Sequence, residues 1–272
     1  MKLVTVEDAQ LRCEHTPRPG APALMLINSL GTSLEMWDDQ LDSLQQQFEL
    51  VRYDARGHGE SSAGSTRELT LERLGRDALA VLDACGIARA HLCGISLGGM
   101  TVMQVASAWP DRVLKIALCS TAPYMPPREN WDERMRTVTT QGMGALAETI
   151  LSKWFTEGFR ASAPERVDKV RKMLLSVDPL GYAACCAAIR DMDLRRTINT
   201  ITATTLVIGG SQDAVAPERD LQLIADSISG ARLRMLDAAH LLNIERSDEF
   251  TQILLSFLGA ESPQVEVSAS TS

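Results

Sequence analysis

No apolar run in the sequence reaches the roughly 18 residues that a membrane-crossing helix needs. The opening, MKLVTVEDAQ, lacks the long apolar stretch of a secretory signal. Neither a membrane partner nor export is therefore expected, and the cytoplasm is the expected location. Positive charge is also in short supply: 27 Lys and Arg against 35 Asp and Glu leave a net charge of −8. That balance argues against nucleic acid and anionic membrane surfaces as partners, while leaving room for a local basic pocket that holds a small anion. There is no internal repeat. The six cysteines fall at no metal-ligand spacing, the adjacent Cys185 and Cys186 included. They are expected to be reduced core residues, with no metal bound and no disulfide formed. No pattern sets the oligomeric state, and a homo-oligomer is as compatible with the sequence as a monomer.

What is present is enough for one large domain carrying an insertion: 272 residues, 45% of them hydrophobic. The first half alternates strand-like and helix-like segments. VTVEDAQLRCEHT reads as two short strands and a turn, and APALMLINS and FELVRYD as buried strands. LTLERLGRDALAVLDACGI has apolar residues at helical spacing and stops at Gly86. AHLCGIS is a strand, LGGMTVMQVASAWP a helix halted at Pro110, and VLKIALCST another strand. This rhythm predicts an α/β fold, a mostly parallel sheet with helices on both faces. It breaks from about residue 122 to 190, which reads as mostly helical, and resumes at TTLVIGG, PERDLQLIADSIS, ARLRMLD and SDEFTQILLSFLG. The expected organisation is an α/β core over 1–121 and 191–260, a helical cap over 122–190 inserted between two late strands, and a flexible C-terminal tail over 261–272.

Gly94-Ile95-Ser96-Leu97-Gly98 fits G-x-S-x-G in its required context of strand, sharp turn and helix. Glycines on either side let a strained serine stand clear of the sheet, and the helix that starts there points free N–H groups at developing negative charge. A glycine-rich turn that merely packs a helix on a strand is the plainer alternative.

A serine nucleophile needs a base, and the base needs an orienting acid. Four histidines are available. His15 lies in the first hairpin, and His91 at the end of its strand away from the serine. His58, in DARGHGES, reads best as a turn residue. His240, in LDAAHLLNIE, follows the last strand and is expected on the same sheet edge as Ser96. Asp213 follows the strand TTLVIGG and is the expected acid, placed too early before Pro217 to read as a helix cap; Asp237 and Glu245 compete by sequence proximity but read as solvated or structural. The order Ser, Asp, His is that of α/β-hydrolases. The oxyanion is expected to bind the backbone N–H of Leu97 and that of Leu30, in the loop INSLGTSLEMW, where losing one donor costs about 2.7–4 kcal/mol. Cys93 and Cys119 read as buried strand residues rather than nucleophiles.

Together, NSLGTSLEMWDDQ, RYDARGHGES, CGISLGGM, ALCSTA, KWFTEGFR, GYAACCAAIRDMDLR and AAHLLNIE resemble the 3-oxoadipate enol-lactonases of the α/β-hydrolase superfamily, over about residues 12–258. Leu242 departs from the small polar residue expected beside the base. The resemblance implies opening of 3-oxoadipate enol-lactone, a small anionic lactone, with no metal or organic cofactor. The substrate carboxylate then needs a cation or several donors, and Arg134, Trp131 and Trp154 are the candidates, against a reading of all three as cap packing. The alternatives are a carboxylesterase or lactonase of the same fold with another acyl substrate, or a hydrolase-fold binding protein without catalysis.

Overall fold

The computed structural model describes residues 2–65 and 68–259; the tail expected over 261–272 lies outside them. The strands are β1 (Lys2–Val6), β2 (Ala9–Thr16), β3 (Ala23–Ile27), β4 (Glu49–Tyr53), β5 (Ala90–Ile95), β6 (Val113–Cys119), β7 (Thr204–Gly210) and β8 (Arg232–Leu236). They form one sheet in the order β1-β2-β4-β3-β5-β6-β7-β8. The β1–β2 and β2–β4 pairs are antiparallel, and every pair from β4 to β8 is parallel. β3 and β5 are buried along their whole length, which explains their continuous apolar sequences. The edge strands β1 and β8 are only partly buried and carry more polar residues.

The helices are α1 (Asp38–Leu44), α2 (Leu71–Ala84), α3 (Leu97–Ala108), α4 (Arg128–Gln141), α5 (Ala147–Trp154), α6 (Glu157–Ser162), α7 (Pro164–Ser176), α8 (Pro179–Asp191), α9 (Glu218–Ser227), α10 (Leu242–Glu245) and α11 (Ser247–Gly259). The Thr70 hydroxyl caps α2 by accepting the Arg73 N–H at 3.2 Å, and Gly86, with φ +76°, ends that segment. α1 was not expected from the sequence. It follows a short 3-10 turn and has no side-chain cap, so no boundary signal marks it. Helices α4–α8 all fall between β6 and β7. Their last member rests on the loop after β4: Gly57 and Gly181 meet backbone to backbone, and the Asp178 N–H donates to the Gly57 carbonyl at 2.9 Å. All six cysteines are free thiols, and five are buried; Cys85, at the C-terminal end of α2, is partly buried and packs against the edge of the core.

α3 packs against β3, β5 and β6 at close quarters. A Cβ at Gly94 would overlap the Gly98 backbone, and one at Gly98 would overlap the Ile27 carbonyl. Both glycines of the elbow are thus set by backbone approach. Gly98→Ala is expected to destabilise the fold by at least about 1–3 kcal/mol, the usual penalty for overpacking. Gly158→Ala, on the exposed side of α6 with nothing near its Cβ position, is expected to stabilise by about 0.5–1 kcal/mol. Urea melts of the two variants check both signs.

Candidate active site

The chain leaves β5 through Ser96, whose φ of +57° and ψ of −116° lie in a region that side chains normally avoid. The surroundings hold this conformation in place. The Ser96 N–H donates to the Cys119 carbonyl at 2.9 Å, and its carbonyl accepts the Thr121 hydroxyl at 2.8 Å and the Met100 N–H at 3.0 Å. Its own hydroxyl is left without a hydrogen bond to any described residue.

His240 and Asp213 come from neighbouring loops at the same C-terminal edge of the sheet, after β8 and β7. The two loops are laced together, with the Ser211 N–H donating to the Leu236 carbonyl at 2.8 Å and the Gln212 N–H to the Ala238 carbonyl at 3.0 Å. The His240 Nδ1–H donates to Asp213 Oδ2 at 2.8 Å, and both side chains are almost completely buried. Because a carboxylate only accepts, this bond puts the ring proton on Nδ1 and leaves Nε2 as a free base. Burial alone would push the Asp213 carboxyl up. The His240 ring and the Ala216 and Val215 N–H groups outweigh it, so the carboxyl titrates below its ordinary range. Asp213 Oδ1 takes those two N–H groups, at 2.7 Å from Val215 and 3.0 Å from Ala216. The residue therefore does close a turn before Pro217 while its other oxygen faces the histidine.

The loop after β3 runs beside the elbow, since the first turn of α3 touches the Ile27 and Asn28 carbonyls. The N–H groups of Leu30 and Leu97 donate to no described residue. Asn28 anchors the loop, donating to the Tyr53 carbonyl at 2.9 Å and accepting the Trp37 indole N–H at 2.9 Å. His58, which the sequence offered only as a turn residue, is fully buried and accepts the Gly31 N–H on Nε2 at 2.9 Å. Its Nδ1–H donates to the Arg56 carbonyl at 2.8 Å. Nothing in a linear pattern signals that contact, beyond a histidine flanked by glycines in a turn that follows a buried strand.

Glu245 is structural, as its reading as a competitor acid allowed. It accepts the Ala239 N–H at 3.0 Å, next to the histidine, and bonds the Thr156 hydroxyl after α5. The Leu241 N–H reaches the Trp154 carbonyl at 3.0 Å. Trp154 also places its ring 3.2 Å from where a Gly31 Cβ would sit. Trp131 spends its indole N–H on the Met125 carbonyl at 2.9 Å. Arg134 stacks over the Trp131 ring at 5.1 Å and donates to the Tyr182 hydroxyl at 3.3 Å, but makes no ion pair with a described carboxylate. Trp131, Arg134, Lys153 and Val215 line a cavity of about 670 Å³ between the α4–α5 segment and the loop carrying Asp213. Neither Ser96 nor His240 lines it. Tyr182 connects that cavity to the loop after β3: Arg134 touches it, and its ring lies 3.3 Å from the Gly31 Cβ position. Leu242 is buried in the core, where its apolar side chain belongs.

A mostly parallel sheet that carries a strained strand-to-helix serine at one edge, with a histidine and an aspartate on later loops of that edge, is the arrangement of an alpha/beta hydrolase. The model of the alpha/beta hydrolase fold matches residues 22–247, and the chain belongs to that family. Within it, the chain is 35% identical over 247 residues to 3-oxoadipate enol-lactonase 2 of Acinetobacter baylyi, covering 91% of this chain and 92% of that one. It is 38% identical to the enol-lactonase of Burkholderia xenovorans LB400, whose crystal structure it matches with a TM-score of 0.90 over 92% of this chain and 97% of the other. A thermophilic esterase from Thermogutta terrifontis matches with a TM-score of 0.88 at 26% identity, over 95% and 97% of the two chains.

Burial pushes the His58 ring down to about 4. Below about pH 6.5 the unfolded chain binds a proton that the folded chain refuses, so His58 contributes stability that is present above that pH and lost as pH falls toward 4. Asp54, raised to about 6 by burial, works in the opposite direction, so the comparison needs a variant. His58→Gln is expected to lose less stability than the wild type between pH 6.5 and 4.5, by on the order of 2 kcal/mol. Parallel urea melts at the two pH values measure it, and equal losses would contradict the assignment.

Proposed function

We propose that the chain hydrolyses 3-oxoadipate enol-lactone to 3-oxoadipate, a step of the β-ketoadipate route of aromatic catabolism, through Ser96, His240 and Asp213. The observation that carries the hydrolytic part is the buried Asp213–His240 hydrogen bond at the sheet edge that also bears the strained Ser96. The likeness to two enol-lactonases over nine-tenths of the chain supports the substrate.

In this mechanism His240 Nε2 takes the Ser96 proton as Oγ attacks the lactone carbonyl carbon. Asp213 holds the ring and steadies the imidazolium. The N–H groups of Leu30 and Leu97 receive the oxyanion, helped by the positive end of α3. The ring C–O bond then breaks, and the enol oxygen leaves. The His240 imidazolium gives the Ser96 proton to the departing enolate, and its transfer to carbon turns the enol into a ketone, so the opening is drawn forward. A water then gives its proton to the freed His240 and attacks the acyl carbon, and His240 returns that proton to Ser96 Oγ as 3-oxoadipate leaves. The helices between β6 and β7 act as the cap, and Arg134, which has no carboxylate partner among the described residues, takes the substrate carboxylate from the cavity side, with Trp131 beneath its guanidinium and Trp154 at the Gly31 end.

Ser96→Ala is expected to abolish turnover while melting like the wild type. Unchanged turnover would reveal a different nucleophile, and the enzyme without catalysis would be a binding protein of this fold. Arg134→Ala is expected to lower kcat/KM for the enol-lactone about 10- to 100-fold, the scale of a lost charge-assisted hydrogen bond, and to leave an uncharged aryl ester almost unaffected. The assay uses enol-lactone generated in place from muconolactone by its isomerase. A preference for the aryl ester in the wild type would assign the site to a general carboxylesterase instead.

A further inference from the structure

The loop that presents Leu30 is a tight turn. The Thr32 N–H donates to the Ser29 carbonyl at 3.2 Å, the Thr32 hydroxyl donates to the same oxygen at 2.8 Å, and Gly31 takes φ +85°. A bond of that span with positive φ at the third residue is the pattern of a type II turn. In such a turn the peptide between the two central residues can flip, which exchanges the faces of its N–H and C=O. The peptide before Leu30 is pinned through Ser29. Among the described residues, the peptide after it is held by one side chain, the buried imidazole of His58, which accepts the Gly31 N–H. A flip would turn the Leu30 carbonyl toward the same Nε2, acceptor against acceptor, and would reset Leu30 ψ and Gly31 φ, on which the closing bonds to the Ser29 carbonyl depend.

The imidazole itself has little freedom. Its Nδ1–H is committed to the Arg56 carbonyl. Arg56 is held by two bonds to Asp77, at 2.5 and 2.9 Å, and one to Asp8 at 2.6 Å. The Tyr182 ring stands 6.4 Å from the imidazole, centroid to centroid. The same loop grips the far end of the turn, where Asp54 Oδ1 accepts the Leu34 N–H at 2.6 Å.

We propose that His58 is a positioning residue for catalysis: as a neutral acceptor for the Gly31 N–H, it anchors the 29–32 turn, whose closing bonds at the Ser29 carbonyl orient the peptide that carries the Leu30 N–H toward the oxyanion. The inference rests on the reading of Leu30 as an oxyanion donor and Ser96 as nucleophile, and it adds a residue that touches no substrate.

The test compares His58→Gln with His58→Asn. The Gln carbonyl reaches the place of Nε2 and can accept the Gly31 N–H, whereas the shorter Asn cannot. Both are read for kcat, KM, and inhibition by phenylboronic acid, which forms a tetrahedral adduct on a serine hydroxyl. Relative to the wild type, Asn is expected to lower kcat about 10- to 100-fold, somewhat less than deletion of a donor outright. KM is expected to stay within about threefold, and boronate affinity to fall with kcat; Gln is expected to recover most of both losses. Equal kcat and equal boronate affinity in the two variants would overturn the proposal, as would a loss confined to KM. Mass spectrometry after treatment with a fluorophosphonate separates the two layers. A wild-type enzyme that carries no label on Ser96 defeats the nucleophile reading, and the proposal with it. A labelled Ser96 beside indistinguishable variants defeats the proposal alone.

Discussion

The account depends on a single buried hydrogen bond, from His240 Nδ1–H to Asp213 Oδ2. It joins two loops that the sheet order makes neighbours, because β7 and β8 lie side by side at one end of the sheet. With both groups out of water, the bond is a high-stakes contact. Removing either partner leaves the other buried and uncompensated, which is far costlier than the net worth of the pair. The geometry also decides which ring nitrogen carries the proton, and it leaves Nε2 unprotonated. Asp213 meets the demand of burial with both oxygens, one toward the ring and one toward its own turn.

Around that pair the fold supplies rigidity. The serine elbow is held by backbone packing so close that glycine is required on both sides. The loop after β3 is braced from behind by the segment DARGHGES, through Asp54 and His58. Two of the contacts that attach the helices between β6 and β7 lie at separated points. One is the Gly57–Gly181 contact at the base of α8, and the other the Trp154 carbonyl and Thr156 reaching Leu241 and Glu245 beside the histidine. Those helices thus touch the bracing segment on one side and the histidine loop on the other.

The elbow, the strand rhythm and the order of Ser96, Asp213 and His240 were legible because they rest on local signals: periodicity, glycine spacing and strand ends. The braces were not. His58 meets Gly31 and Glu245 meets Thr156 across loops, 27 and 89 residues apart, and such pairs leave no periodic trace in one sequence. α1 escaped because DDQLDSL is short, mostly polar and uncapped. Trp131 and Arg134 were named from composition and resemblance. Which polar atoms were still free only the packing reveals: the Trp131 N–H is engaged, whereas the Arg134 guanidinium lines the cavity, stacks on the Trp131 ring and bonds the neutral Tyr182 hydroxyl.

The most direct test of the central bond is the proton itself. A ring N–H held between imidazole and a buried carboxylate resonates far downfield in the proton NMR spectrum. The account predicts one such resonance, present in the wild type and in Ser96→Ala, and absent from both Asp213→Asn and His240→Gln. A spectrum without it, or one in which it survives Asp213→Asn, would contradict the pairing on which the site is built.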